Sequence, residues 1–401
     1  MATGSQIAMR ERKRLYVLKT REWYLLRSLL GYWWAMLFIL LGGREAGKSY
    51  SITEYFVKEF ITHHIPFYWL RLSETSAKKL LQNNAMQLVD PDIRRRYNLD
   101  LVTNGSHVYN VTKRSKPDKN GKTKILKKEL MCTVLSIKTF YNDKGQGMYD
   151  KDFLKDMNMR YHICLDEMQP EKGEKRDFDI LYAFVNQLEN LIRSTKERVK
   201  IFIVGNTLEE ASDIMCGLNF IPEKFGRYKL VKNKKQLGNY IKELRACKND
   251  TEIAAVNEKY KDIDFGKRAV VEYIEPTEAY KNRRKGTIAD ILTPRASTFT
   301  NEIKVDSTLV DKSRKISPTK IIKFSKDESS WFTIWDGRCV CPYKKEKKPI
   351  VAMRPYIDEL FSPENQTTII KLFDTRSLTY KDLITFKRFQ KEITLLKPRG
   401  N

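Results

Sequence analysis

From Ala35 to Leu41 the chain reads AMLFILL, an unbroken apolar run of the kind found in a strand buried on both faces of a parallel sheet. Tyr50 to His63 (YSITEYFVKEFITH) follows, with Ile52, Phe56 and Phe60 at helical spacing. Further strand-like runs lie at Leu130 to Ile137 (LMCTVLSI), Tyr161 to Asp166 (YHICLD) and Ile201 to Gly205 (IFIVG). Between the last two, Asp179 to Arg193 places Leu181, Phe184, Leu188 and Leu191 on one helical face. Strand, helix and strand in alternation predict an α/β fold around a central parallel sheet. The basic run Lys113 to Lys124, with an Asn-Gly turn signal inside it, predicts a long hairpin tip that either meets nucleic acid or is simply solvated.

The pattern changes in the second half. Lys229 to Lys267 is charged and rich in helix formers. Pro276 to about Asp306 is polar and turn-rich, as a linker would be. Ile321 to Phe324, Trp331 to Trp335 and Cys339 to Cys341 then read as strands of a meander, followed by basic helical stretches at Thr367 to Phe373 and Leu383 to Leu396.

A chain of 401 residues exceeds what one compact domain usually holds, so two domains and a connector are expected. Lys and Arg number 75 against 50 Asp and Glu, a net charge of +25 that favours an extended polyanion or an anionic membrane as partner. With 41% hydrophobic residues, a disordered basic tail is excluded. The six cysteines show no C-x-x-C pair and read as reduced core thiols. The uncharged stretch Ser28 to Gly43 suggests a membrane span at first sight, but it is shorter than the roughly 20 residues a span needs.

The residues at the end of that stretch are chemically informative. Gly42, Gly43, Arg44, Glu45, Ala46, Gly47, Lys48 and Ser49 match G-x-x-x-x-G-K-[ST], with a strand before and a helix after. The glycines let backbone N–H groups turn toward phosphates, Lys48 reaches the β- and γ-phosphates of ATP, and the Ser49 hydroxyl ligates Mg²⁺. The strand YHICLDE ends in two carboxylates: Asp166 for the Mg²⁺ shell and Glu167 to polarise the attacking water. Asn206, at the tip of the Ile201 to Gly205 strand, is a γ-phosphate sensor candidate. The strand at Leu130 to Ile137, between loop and acidic strand in sequence, suits the additional-strand class of phosphate-loop ATPases.

These residues resemble the DNA-packaging ATPases of phi-29-like bacteriophages. The resemblance runs through GGREAGKSY (Gly42 to Tyr50), YWLR (Tyr68 to Arg71), Leu165-Asp166-Glu167, IRSTKERVKIFIVGN (Ile192 to Asn206), NFIPEKFGR (Asn219 to Arg227) and Asn282 to Gly286. It implies an ATP-hydrolysing ring motor, a homopentamer, that moves viral double-stranded DNA into a procapsid. The implied partners are the portal and a structural packaging RNA, the implied place is the host cytoplasm, and no membrane is involved. It adds Tyr50 to the nucleotide contacts and makes Arg193 the trans-acting arginine finger, with Arg198 as alternative because one residue is inserted before Glu197. Lys144, in SIKTFYNDK, takes the place of a second trans-acting basic residue. The loop after Glu167 would face a central pore, which makes Lys172, Lys175 and Arg176 candidates for DNA backbone contact.

The resemblance also sets the expected organisation. Residues 1–276 form the ATPase domain, with Lys229 to Lys267 as an insertion acting either as a lid or as an interface helix pair. Residues 277–306 form a short linker module, and 307–401 an α+β ribonuclease-H-like domain. That last domain is expected to be a vestigial nuclease, since its strands offer chiefly Asp336 and Asp358 where two-metal cleavage needs clustered carboxylates. The competing readings are an ATP-dependent helicase or remodelling enzyme, and a non-catalytic nucleic-acid-binding scaffold with structural nucleotide.

Overall fold

The computed structural model describes residues 4–43, 45–118, 122–137, 161–168, 181–186, 188, 199–205, 212–222, 224–285, 318–324, 330–335, 339–343, 357–360, 363–375 and 377–396. The chain divides into two compact units, Met1–Leu208 with Lys224–Asn301, and Glu209–Glu223 with Glu302–Asn401.

The first unit is built on nine strands: β1 Leu37–Leu41, β2 Phe67–Arg71, β3 Leu101–Asn104, β4 His107–Arg114, β5 Ile125–Ser136, β6 Tyr161–Asp166, β7 Val199–Gly205, β8 Gly226–Leu230 and β9 Ala269–Tyr273. They form one sheet in the order β3-β4-β5-β2-β6-β7-β1-β9-β8. From β5 to β9 every pairing is parallel, whereas β3, β4 and β8 join antiparallel at the edges. The apolar runs explain this layout, because a strand covered on both faces needs no polar side. Thus Phe38, Ile39, Leu40 and Leu41 of β1 are fully buried. The strand between the phosphate-loop strand β1 and the acidic strand β6 is β7. Leu130 to Ile137, expected as a strand between loop and acidic strand in sequence, falls largely within β5, which pairs with β2.

Helix Lys48–His63 lies on this sheet with Ile52, Phe56 and Phe60 buried. Phe56 packs on Phe67 and Phe202, with ring centroids 5.0 and 5.4 Å away, and Phe38 stacks on Phe202 at 5.0 Å. Burial of each such ring or branched chain stabilises the fold by about 1.5–3 kcal/mol. The helix stops where His64 turns left-handed (φ 53°) and its N–H donates to the Phe60 carbonyl. The charged segment after β8 forms two helices, Lys234–Ala246 and Asp250–Tyr260, joined by the Lys259–Glu243 ion pair. Among the described residues no helix is long and apolar enough to cross a membrane. Cys132, Cys164, Cys247, Cys339 and Cys341 are free thiols.

The second unit carries β10 Pro318–Lys323, β11 Trp331–Trp335, β12 Cys339–Pro342, β13 Ile357–Leu360 and β14 Thr379–Tyr380, ordered β13-β10-β11-β12-β14. The meander β10-β11-β12 is antiparallel, while β13 joins β10 and β14 joins β12 in parallel. Helices Pro363–Asp374 and Leu383–Leu396 contribute Ile369, Phe389 and Ile393 to a core with Phe332, Ile334 and Val340. The short helix Asp213–Gly217 packs against Leu383–Leu396, so the chain enters this unit directly after the β7 region before returning to complete the first.

Candidate nucleotide site

The site forms at the carboxyl end of the parallel strands, where β1 hands over to helix Lys48–His63. Two left-handed residues, Glu45 (φ 63°) and Gly47 (φ 88°), bend the loop. The Gly42 N–H donates to the Gly205 carbonyl at the tip of β7, which fixes the loop's base. Lys48 is 4% exposed, and its Nζ donates to the carbonyls of Gly43 (2.6 Å) and Gly42 (3.1 Å). An ammonium held inward by its own loop is positioned for the phosphates the loop would wrap.

Ser49 Oγ donates to Asp166 Oδ1 at 2.9 Å, which brings the first turn of the helix to the end of β6. Asp166 is buried, and burial raises its pKa against the opposing pull of Arg71, the Ser49 hydrogen bond and Lys48. The hydroxyl and carboxylate are hard oxygen donors of the type Mg²⁺ takes, close enough to share one ion or its water, so they fit that metal. Among the described residues no group of three or more His, Cys, Asp or Glu could hold a metal.

Arg71, the last residue of β2, reaches both acidic side chains: Nη2 lies 2.8 Å from Asp166 Oδ2 and Nη1 2.5 Å from Glu167 Oε2. Its Nε is buried without a hydrogen-bond partner. Glu167 adopts a left-handed backbone (φ 66°), an unusual conformation for a residue with a Cβ. It leaves β6 for the guanidinium, and the next N–H, of Met168, donates to the Val204 carbonyl.

The segment before β1 straps the loop from outside. The Tyr24 N–H donates to the Ala46 carbonyl (2.9 Å), and Ser51 Oγ donates to the Tyr24 carbonyl (2.6 Å). Trp23 lies against Gly47, so closely that a Cβ there would sit 3.3 Å from its ring. The Arg283 guanidinium covers the Trp23 ring at 3.7 Å, Tyr24 Oη donates to Glu272 (2.7 Å), and Glu272 pairs with Arg227. Helix Gly4–Thr20 is tied to the same region by Arg14, which donates twice to Glu275.

The structure thus brings Gly42, Gly43, Glu45, Ala46, Gly47, Lys48, Ser49, Asp166 and Glu167 together. The Tyr50 hydroxyl donates to Asp92 (3.0 Å), and burial with this bond pushes its pKa up to about 12. Arg44, Lys144, Lys172, Lys175, Arg176, Arg193, Arg198, Asn206 and Asp336 lie outside the described residues. Asp358 is on β13, in register with Ile321. Arg71 and the Trp23–Tyr24 strap are the site's unforeseen members. The one signal for Arg71 is an apolar strand, FYWLR, that closes on a cation at the phosphate end of the sheet.

No protein-family model and no curated protein matches the chain. Solved structures do. The phi-28 gp11 DNA packaging motor is similar over 95% of this chain and all of its own, at 13% identity and a TM-score of 0.52. The bacteriophage phi-29 viral genome packaging motor assembly is similar over 93% of this chain and all of that one, at 15% identity and a TM-score of 0.53. The chain has the fold of the phage DNA-packaging motors.

Proposed function

We propose that this protein is the ATP-hydrolysing motor subunit that drives double-stranded DNA into a phage procapsid. The observation that carries the reading is the convergence of Lys48, Ser49, Asp166 and Glu167 at one strand end, on a fold shared with two packaging motors. Lys48 and the loop amides bind and orient the triphosphate. Ser49 and Asp166 would hold Mg²⁺, which would supply neutralisation of charge on the phosphates. Glu167 takes a proton from water as its oxygen bonds to the γ-phosphorus and the bond to the β–γ bridging oxygen breaks, giving ADP and phosphate. While Arg71 pairs with Glu167, the guanidinium occupies a carboxylate oxygen that would have to face the water, so nucleotide entry has to redistribute its contacts.

The position of β7 between β1 and β6 supports the additional-strand ATPase class, in which a glutamate activates water. In the same reading the subunits form a pentameric ring on the portal in the host cytoplasm, with a structural RNA beside them. Arg193, or Arg198, then acts as the trans finger, Lys144 assists in trans, and Lys172, Lys175 and Arg176 grip the DNA backbone. The second unit is a ribonuclease-H-like remnant. Its antiparallel meander with β13 parallel to the first strand supports that ancestry, and the absence of any carboxylate from β10 (PTKIIK) supports loss of cleavage.

Glu167→Gln tests the core of this proposal. ATP binding is retained, and DNA-stimulated hydrolysis falls by about 10² to 10⁴. Unchanged turnover removes Glu167 from the chemistry and with it the motor assignment.

A further inference from the structure

The first unit carries a feature that hydrolysis does not use. β4 pairs with β3 only through His107–Asn110, and β5 pairs with β2 only from Cys132 onward. Beyond those points Val111–Arg114 and Ile125–Lys128 pair with each other as a two-stranded ribbon, whose root is tied back by the Val111 N–H donating to the Asp100 carbonyl (2.7 Å). From Val111 to Asp118 such a ribbon extends about 20 Å.

The segments on either side of its tip are tied by their own bonds. The Ser115 N–H donates to the Lys124 carbonyl (2.8 Å), that of Lys124 to Ser115 Oγ (2.8 Å), and that of Lys122 to Asp118 Oδ1 (2.8 Å). At its base Arg114 forks onto Asp100, at 2.5 and 2.9 Å. A two-stranded ribbon is marginal by itself, and this one buries Val111 at its root while Lys122 through Lys128 are exposed.

Its charge is also placed against its own stability. Residues 113–128 contain eight Lys or Arg and a single acid, Asp118. Lys113 and Lys127 stand directly opposite each other across the strands, a like-charged cross-strand pair that destabilises the ribbon in isolation. An anion lying along the ribbon would remove that penalty. Arg114 is committed to Asp100 and Lys128 lies over the Tyr109 ring, which leaves Lys113, Lys116, Lys122, Lys124 and Lys127 as the outward charges among the described residues. All five are lysines, point charges without the planar fork that reads guanine.

We propose that this ribbon is a second nucleic-acid contact, a lysine arm that lies along the phosphate backbone of a duplex without reading its sequence. The choice of nucleic acid as the polyanion rests on the packaging reading above; the existence of a polyanion site does not.

The test uses the full chain with Lys113, Lys116, Lys122, Lys124 and Lys127 changed together to Ala, and a matching set changed to Arg. Anisotropy titrations across a salt series use short duplexes of two unrelated DNA sequences, duplex RNA, and phosphatidylserine vesicles. The Ala set should reduce the slope of log K against log salt by up to about four, at ~0.9 for each phosphate no longer neutralised. The loss should be equal on both DNA sequences, the Arg set should restore it, and ATP hydrolysis without nucleic acid should not change. A loss on DNA, RNA or both supports the arm and names its duplex. An unchanged slope on both, or a loss confined to vesicles, overturns it. If wild-type protein shows no hydrolysis while the slope still falls, the motor reading fails and the arm stands.

Discussion

Ser49 Oγ and Asp166 Oδ1 meet at 2.9 Å although 117 positions separate the residues in sequence, and the proposed Mg²⁺ site rests on that contact. Asp166 has a raised pKa, chiefly from burial, so protons compete with Mg²⁺ for it above the usual carboxylate range. Magnesium-dependent nucleotide affinity should fall as pH drops toward that raised value, and Asp166→Asn should bind weakly with a flat profile. The stability sign is opposite: a carboxyl whose folded pKa is raised stabilises the metal-free fold when protonated, and that contribution is lost as pH rises through the folded value. Calorimetry of the metal-free protein and nucleotide titrations across pH check both trends.

Arg71→Ala should destabilise the metal-free protein, because Asp166 would keep its burial and lose its guanidinium. Breaking a buried pair costs about 3–5 kcal/mol. Arg71 is 14% exposed and Glu167 38%, so the effect should fall toward the lower end. Magnesium and ATP should narrow the gap in Tm between variant and wild type, since they bring positive charge back to Asp166. A gap that does not change with Mg·ATP would mean that Arg71 and the metal do not share that carboxylate.

Gly47→Ala tests the strap. At φ 88° a Cβ costs roughly 1–2 kcal/mol, and here it would also press on the Trp23 ring at 3.3 Å. Tm should fall, nucleotide affinity should fall with it, and the indole fluorescence should change. Trp23→Ala on the Gly47→Ala background should recover part of the loss.

Asp100→Asn should loosen the base of the lysine ribbon without touching hydrolysis. The hydrogen bonds from Arg114 hold the Asp100 carboxyl below its ordinary value, so this tie is present at neutral pH and is lost as pH falls through the depressed pKa. Both groups are partly exposed, which keeps the effect on stability small. Faster hydrogen exchange confined to Val111–Arg114 and Ile125–Lys128 would register it.

Strands β1, β5, β6 and β7 were legible because burial leaves an unmistakable apolar run, whereas β3, β8 and β9 are short and left no such run to read; the loop and acidic strand were legible because phosphate chemistry demands fixed residue types. Arg71 was not, since an arginine ending a strand acquires meaning only beside Asp166 and Glu167, which come much later in the chain. Nor was β7's place between β1 and β6, because parallel pairing leaves no mark of neighbour order in either strand. The passage of Glu209–Glu223 into the second unit was equally silent: a helix as short as Asp213–Gly217 packs on whichever core is in reach. The Trp23–Tyr24 strap works largely through backbone N–H and C=O groups, which every sequence possesses.

That strap has a thermodynamic corollary. Because Tyr24 bonds the loop at Ala46 and the helix at Ser51, while Arg14 fastens the preceding helix to Glu275, the amino-terminal helix and the phosphate loop are links of one chain of contacts. Coupling between two sites is reciprocal. Any partner that binds the helix Gly4–Thr20 and alters nucleotide affinity by some factor must find its own affinity altered by that same factor when nucleotide binds, so the two bindings become one equilibrium.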